Sequence, residues 1–338
     1  MDVLYIGSTG GTSQHRAQAL RRLGHRVHHV DPWAFLPRSR WLRVWIWQTG
    51  ALYLGEFIRR QVLARIPTNA CALSLVDAGE LVGPRLVQDL RSRCGVIANY
   101  NVDDPYGGRD GRRWRLHLKA VPLYDLVVVR RQVNVPEAYA RGARRVLRVF
   151  RSADEEAHAP RPLTSADRLR WNNDVLFAGA WMPERGPFMA ELIQHGVPLA
   201  IYGDGWQKAR EWPSLRAIWR GPTLRGDDYV KAIRGAKVCL GLLSKGNRDL
   251  HTGRSMEIPF AGGVLCAERT SEHVALYREA DEAVFWNDAR ECAERCYALL
   301  ADRERRAAIA EKGMQRCVMN GHLNERVMER FLCEALRS

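Results

Sequence analysis

Short apolar strands, each running into a small-residue loop and then a helix, recur in two separate series along this chain. That alternation constrains the fold more than any other feature. Strand–helix–strand units with short loops assemble as parallel sheets flanked by helices. The first series opens with a strand at Val3–Ile6, the loop Gly7-Ser8-Thr9-Gly10-Gly11-Thr12-Ser13, and a helix from about Ser13 to Leu23. Gly24 ends that helix, and His25–Val30 is a second strand closing on Asp31. Leu73–Val76, Gly95–Tyr100, Asp125–Val129 and Val146–Phe150 continue the series. A second series starts at Val175–Gly179 and passes through Leu199–Tyr202, Ile218–Trp219, Val238–Leu243 and Val264–Cys266. The polar stretch 152–173, with Pro160 and Pro162, reads as a linker. The expectation is an α/β chain of two doubly wound domains facing one another, with substrate between them.

Bulk properties agree with that expectation. A chain of 338 residues suits two ordinary domains, and 46% apolar with 27% charged residues is a soluble composition. No apolar run approaches the ~18 residues of a membrane span. Met1-Asp2 leads straight into the first strand, leaving no room for a signal peptide. The eight cysteines are scattered, and Cys292 and Cys296, four apart, have no CxxC pair or partner histidines. They read as buried free thiols in a reducing cytoplasm. The net charge of +14 is uneven: residues 1–160 hold 25 Lys/Arg against 14 Asp/Glu, and residues 161–338 hold 27 against 24. The first half therefore suits something anionic, although an arginine-rich composition, with only six lysines, explains part of the excess. Within residues 32–66, Trp33, Trp41, Trp45 and Trp47 alternate with Arg38, Arg40 and Arg43. That pattern fits peripheral contact with a membrane surface, or an ordinary helix with solvated arginines.

The stretch from Arg248 to Gly263 carries the clearest chemistry. Asp249 and Glu257 lie eight positions apart, with Thr252, Gly253 and Arg254 between them. A helix entered at Thr252–Gly253 offers unpaired N–H groups to a phosphate, and the two acids can hold sugar or ribose hydroxyls. Asp103 and Asp104 follow a strand of the first series, where open α/β sheets bind ligands, and are candidates for a catalytic base. They also suit a turn before Pro105. The first loop is not GxGxxG, but Asp31 keeps a dehydrogenase reading open.

The ordered motifs resemble the group 1, GT-B-fold glycosyltransferases, and more closely the bacterial glycosyltransferase-like proteins typified by the spore maturation protein CgeB. The features that carry this are the early glycine loop, Asp103-Asp104-Pro105, Tyr124-Asp125, Glu137 and Tyr139, Tyr202-Gly203-Asp204-Gly205-Trp206, and Thr252–Pro259. The resemblance implies a GT-B fold with an acceptor domain at 1–160 and a nucleotide-sugar domain at 174–320. Residues 321–338 would form a final helix crossing back to the first domain. It implies a cytoplasmic glycosyltransferase, retaining and metal-independent, with no cofactor beyond a nucleotide-sugar donor, UDP-sugars being favoured. Asp249 would contact the donor sugar and Glu257 the ribose. Arg185 and Arg254 would neutralise the diphosphate, and Gly203, Gly205, Trp206, Thr252 and Gly253 would line the donor. Gly10, Gly11 and Thr12 would face the acceptor, with Asp103 or Asp104 as the alternative catalytic acids. Two positions depart from the family: Ala180 stands where an arginine is usual, and Asp249 where glutamate is usual. A catalytically silent nucleotide-sugar-binding scaffold is therefore the first alternative, and a DNA-binding protein a weaker one.

Overall fold

In the computed structural model, which describes residues 1–66 and 71–337, the alternation becomes two parallel six-stranded sheets. The first contains β1 (Asp2–Ile6), β2 (Arg26–Val30), β3 (Cys71–Asp77), β4 (Cys94–Tyr100), β5 (Leu126–Val129) and β6 (Val146–Arg148), in the order β2-β1-β3-β4-β5-β6. The second contains β7 (Val175–Ala178), β8 (Leu199–Tyr202), β9 (Trp219–Gly221), β10 (Val238–Gly241), β11 (Leu265–Glu268) and β12 (Val284–Trp286), in the order β12-β11-β10-β7-β8-β9. Strands such as Leu126-Val127-Val128-Val129 are buried along their whole length. Parallel strands covered by helices on both faces read as unbroken apolar runs for this reason. Each sheet has one point where the strand order reverses: between β1 and β3 in the first, and between β7 and β10 in the second. Ligands of open α/β sheets bind beyond the C-terminal strand ends at such points.

The chain divides into two compact units. One comprises Met1–Phe150, Gly246–Arg248 and Asn324–Ser338; the other comprises Arg151–Lys245 and Asp249–Leu323. In the first unit, helix α1 (Gly11–Arg22) buries Ala17 and Leu20 in a core that also takes Met328, Phe331 and Leu332 from the final helix, Asn324–Ala335. The Phe331 ring meets Tyr100 of β4 edge-on at 6.3 Å. Helices α2 (Arg40–Thr49) and α3 (Leu54–Leu63) cover the opposite face through Ile46, Ile58 and Val62.

Three expectations need correction. The stretch 152–173 is not a free linker, because residues from Arg151 onward belong to the second unit. Thr164 and Asp167 form a capping box on the short helix Ser165–Arg170, and Lys231 reaches Asp167 at 3.1 Å. The cysteines are not all free: Cys71 and Cys94 are joined by a disulfide. They face one another in the register of β3 and β4, with Cα atoms 4.6 Å apart, a spacing that suits the bond. Strand β12, only three residues long, was too short to stand out from its flanking helices.

Candidate functional site

The second unit gathers its chemistry at the C-terminal ends of β7, β8 and β10. Glu257 lies in the first turn of helix Arg254–Phe260 and is half-buried, with Oε2 accepting a 2.6 Å hydrogen bond from the Tyr229 hydroxyl. Burial pushes this carboxyl up, but the charges of His158 and Arg254, the Tyr229 hydroxyl and Arg151 outweigh it. Glu257 is therefore held below the ordinary glutamate range and is anionic at neutral pH. Gly253 packs close beside it: a Cβ there would lie 2.6 Å from Glu257 Oε1, so a larger residue would displace the carboxylate. Arg254 is half-exposed; its Nε donates to the Ala178 carbonyl at the end of β7, and its guanidinium lies 5.9 Å from the Phe177 ring.

The helix entered here has only seven residues, so its dipole contributes little and the positive charge at this point comes from Arg254. Thr252 is buried: its N–H donates to Ser255 Oγ at 3.0 Å, and its own Oγ1 has no hydrogen-bond partner among the described residues. The loop ahead of it is pinned by His251. The Nε2 atom of that histidine accepts from the Arg151 N–H at 2.9 Å, which leaves the proton on Nδ1 to be donated to Glu272. Asp249 is buried in this loop, and its N–H points to the Ser244 carbonyl at 3.4 Å.

Two residues expected to touch the donor are occupied with the protein itself. Arg185 opens helix Arg185–Gln194 and is buried, donating to the carbonyls of Ala180 at 2.7 Å and of Leu242 and Leu243 at 3.3 and 3.0 Å. It ties the end of β7 to the end of β10, across the reversal point of the sheet. Trp206 is fully buried, with its Nε1 donating to the Gly179 carbonyl at 2.9 Å and its ring edge-on to Phe177. It shapes the β7 loop and does not present a face to a base. Gly203 belongs to the same packing: a Cβ there would fall 2.0 Å from the Gly179 carbonyl oxygen. Gly205 adopts φ 84°, a left-handed turn that glycine takes without strain. Asp204, between them, accepts from Thr223 N and Oγ1, which lowers its pKa.

In the first unit, Gly10, Gly11 and Thr12 are exposed and line a cavity of about 330 Å³ beside β1 and β3, together with Arg16, Glu80 and Arg113. The acids near it are engaged. Asp77 is buried against Arg16 at 2.6 Å. Asp31 accepts from Thr9 N and Oγ1 and from Trp33 N, all at 2.9–3.0 Å, so it organises its own loop and the resemblance to a ribose-binding acid is superficial. Asp104 is buried and takes hydrogen bonds from Arg248 at 2.6 and 2.8 Å, from Asn134 at 2.8 Å and from the Gly107 N–H at 3.0 Å. Burial raises this carboxyl, but Arg248, Asn134 and Arg131 outweigh it and hold it below the usual aspartate range. A carboxylate so occupied is a weaker proton acceptor than a free one. Asp103 is half-buried, with Arg113 3.6 Å away.

Among the described residues, one group of metal-ligating side chains converges: the buried thiols of Cys266, Cys292 and Cys296, all within 4.8 Å of one another. Sequence spacing exposed only the helical pair, because Cys266 comes from β11. Tyr229, His158 and Arg151 also escaped sequence reasoning. They stand 28 or more positions from Glu257, on other elements, and no local pattern links them.

Residues 185–333 match a family described as glycosyl transferase-like. No curated protein matches the chain. Among solved structures, a sucrose-phosphate synthase from Thermosynechococcus elongatus is 12% identical over 99% of this chain and 98% of its own, with a TM-score of 0.70. HepE from Anabaena, solved in complex with UDP and glucose, is 12% identical over 99% and 100%, with a TM-score of 0.66. The trehalose-6-phosphate synthase OtsA is 14% identical over 100% and 99%, with a TM-score of 0.64. This chain therefore has the GT-B fold of those enzymes, with a glycosyl transferase-like region at residues 185–333.

Proposed function

We propose that the protein is a glycosyltransferase that moves a sugar from a nucleotide-sugar donor to an acceptor hydroxyl. The observation that carries this reading is the anionic Glu257 beside the half-exposed Arg254, at the strand-order reversal of a GT-B unit. A carboxylate held ionised accepts hydrogen bonds from two adjacent ribose hydroxyls, and these charge-assisted bonds are the strong ones. Arg254 faces the diphosphate. In the reaction the acceptor oxygen bonds to the anomeric carbon as the bond to the phosphate oxygen breaks. The nucleoside diphosphate leaves with the electron pair, and the hydroxyl proton passes to a leaving phosphate oxygen. Arg254 stabilises the charge that develops there.

UDP is the favoured nucleotide, since HepE is solved with UDP and glucose. Retention of configuration is inferred from the likeness of Asp249 and Glu257 to the paired acids of group 1 enzymes, and independence from metal from Arg254 as the cation that meets the diphosphate. The ordered motifs favour the CgeB-like proteins as the finer affiliation. The test is release of nucleoside diphosphate from UDP-, GDP- and dTDP-linked sugars, or of CMP from CMP-linked sugars, by the purified protein. Release that disappears in Arg254→Ala supports the reading, and wild-type release in that variant contradicts it.

Ala180 and the buried, carbonyl-bound Arg185 favour a second reading, a protein that binds nucleotide sugars without turning them over. It predicts saturable donor binding with no nucleoside diphosphate released under any condition.

A further inference from the structure

Six large hydrophobic side chains stand exposed within seventeen residues of the first unit: Trp41, Val44, Trp47, Leu52, Tyr53 and Phe57. Trp41 is 81% exposed and Tyr53 87%, whereas single exposed apolar residues elsewhere are ordinary. They lie on α2, on α3 and on the turn that joins them. The opposite face of the same helices, through Ile46, Ile58 and Val62, is in the core. The pair is thus apolar inward and apolar-aromatic outward.

The turn between the helices is held in place at a conformational cost. Ala51 and Tyr53 both adopt left-handed backbone, with φ 58° and 64°, a region that non-glycine residues occupy only under strain. Gly50 fixes the turn against its neighbour, since a Cβ there would lie 2.3 Å from the Arg112 carbonyl. The result is that Leu52 and Tyr53 are held out into solvent.

Charge surrounds these side chains. Residues 32–66 contain six arginines and one acid, Glu56, which is paired with Arg59 and Arg60. Arg38, Arg40, Arg43, Arg112 and Arg115 are exposed or nearly so, and among the described residues none has a carboxylate partner. A cavity of about 530 Å³ opens beside this face. Leu36, Leu42, Ile46 and Trp47 line it together with Arg38, Arg43, and Ser8 and Thr9 of the glycine loop.

We propose that the α2–α3 face of the first unit docks on an anionic phospholipid bilayer and brings the adjoining cavity to the membrane surface. Exposed tryptophan and tyrosine favour the headgroup level, and unpaired arginines supply attraction to anionic lipid. Resting on the glycosyltransferase reading, this deepens it: the acceptor is an amphiphile carried in the bilayer, with its hydroxyl head entering beside Ser8 and Thr9.

The test is co-sedimentation of the full chain with vesicles of phosphatidylcholine alone and of phosphatidylcholine mixed with phosphatidylglycerol. Binding to the mixed vesicles only, weakened by salt, is expected. Trp41→Ser with Tyr53→Ser should reduce the bound fraction at least tenfold. Arg40→Glu with Arg43→Glu should weaken partitioning by about 30-fold or more, each basic residue near an anionic surface being worth about fivefold. The four positions are exposed, so these variants should unfold at the wild-type temperature and bind nucleotide sugar as the wild type does. Wild-type protein that stays in the supernatant with phosphatidylglycerol vesicles at low salt overturns the proposal, as does wild-type sedimentation of both double variants. Nucleotide-sugar binding measured on the same preparations separates that failure from failure of the glycosyltransferase reading.

Discussion

Glu257, near the C-terminal ends of the second sheet, is treated differently from the carboxylates at the C-terminal ends of the first. In the first unit, Asp77 is locked to Arg16, Asp104 and Glu137 share Arg248, and Asp31 organises the loop before α1. Asp77, Asp104 and Glu137 answer the unit's own cations, and Asp31 holds backbone in place. In the second unit, Glu257 is stabilised as an anion by a hydroxyl and by cations placed around it, and it is half-buried with no direct ion pair among the described residues. An acid neutralised by a direct ion pair builds architecture, whereas one kept ionised with open coordination is prepared for a ligand. Both units share a βα plan, so the distinction lies in side-chain partners and not in the fold.

The largest effect expected from this contrast is in the first unit. Arg16→Ala leaves Asp77 buried without its cation, and breaking a buried pair from one side costs about 3–5 kcal/mol. Denaturant unfolding measures it, and a loss under 1 kcal/mol would mean that the Asp77 network is not structural. Gly203→Ala in the second unit should cost about 1–3 kcal/mol, because its Cβ overlaps the Gly179 carbonyl. The same substitution should weaken donor binding by moving the β7 loop.

Arg248→Met removes the cation shared by Asp104 and Glu137 and should cost about 1–2 kcal/mol at pH 7. Both carboxyls are held below their ordinary values of 3.8 and 4.5 in the folded protein. Their contribution is therefore present above those values and lost as pH falls through the lower folded ones. The stability gap between wild type and Arg248→Met should accordingly close on acidification below about pH 4. A gap that widens there would show that the carboxyls are not depressed. The smallest effect is Tyr229→Phe, which removes one hydrogen bond from Glu257 and should weaken donor binding by about 1 kcal/mol, read by titration calorimetry.

What could be read from the sequence was local. The strands, the glycine loops, and the proximity of Arg254 to Glu257 follow from short-range pattern, because periodicity and turn chemistry are properties of neighbouring residues. The partners that decide what each acid does lie far off in the chain. Asp104 meets Arg248 across 144 positions, and Glu257 meets Tyr229 across 28. Trp206, inside a glycine-rich turn, looked like a ligand contact, but its indole N–H closes a backbone carbonyl of the neighbouring strand. The pairing of Cys71 with Cys94 depends on the register of β3 against β4, which neither strand's own sequence specifies. The aromatic–arginine alternation at residues 32–66 was visible, but which side chains faced outward was decided by packing against the core.

The proposed role of Glu257 as the ribose-binding carboxylate of a nucleotide-sugar site rests on its negative charge. Titration calorimetry of wild type and Glu257→Gln with UDP-glucose, and with the other nucleotide sugars if that one is not bound, tests it most directly. Glutamine keeps the size of the side chain and removes the charge. With two charge-assisted hydrogen bonds weakened, the dissociation constant should rise about 100-fold. Equal affinity of the two proteins for the nucleotide sugar would contradict the claim.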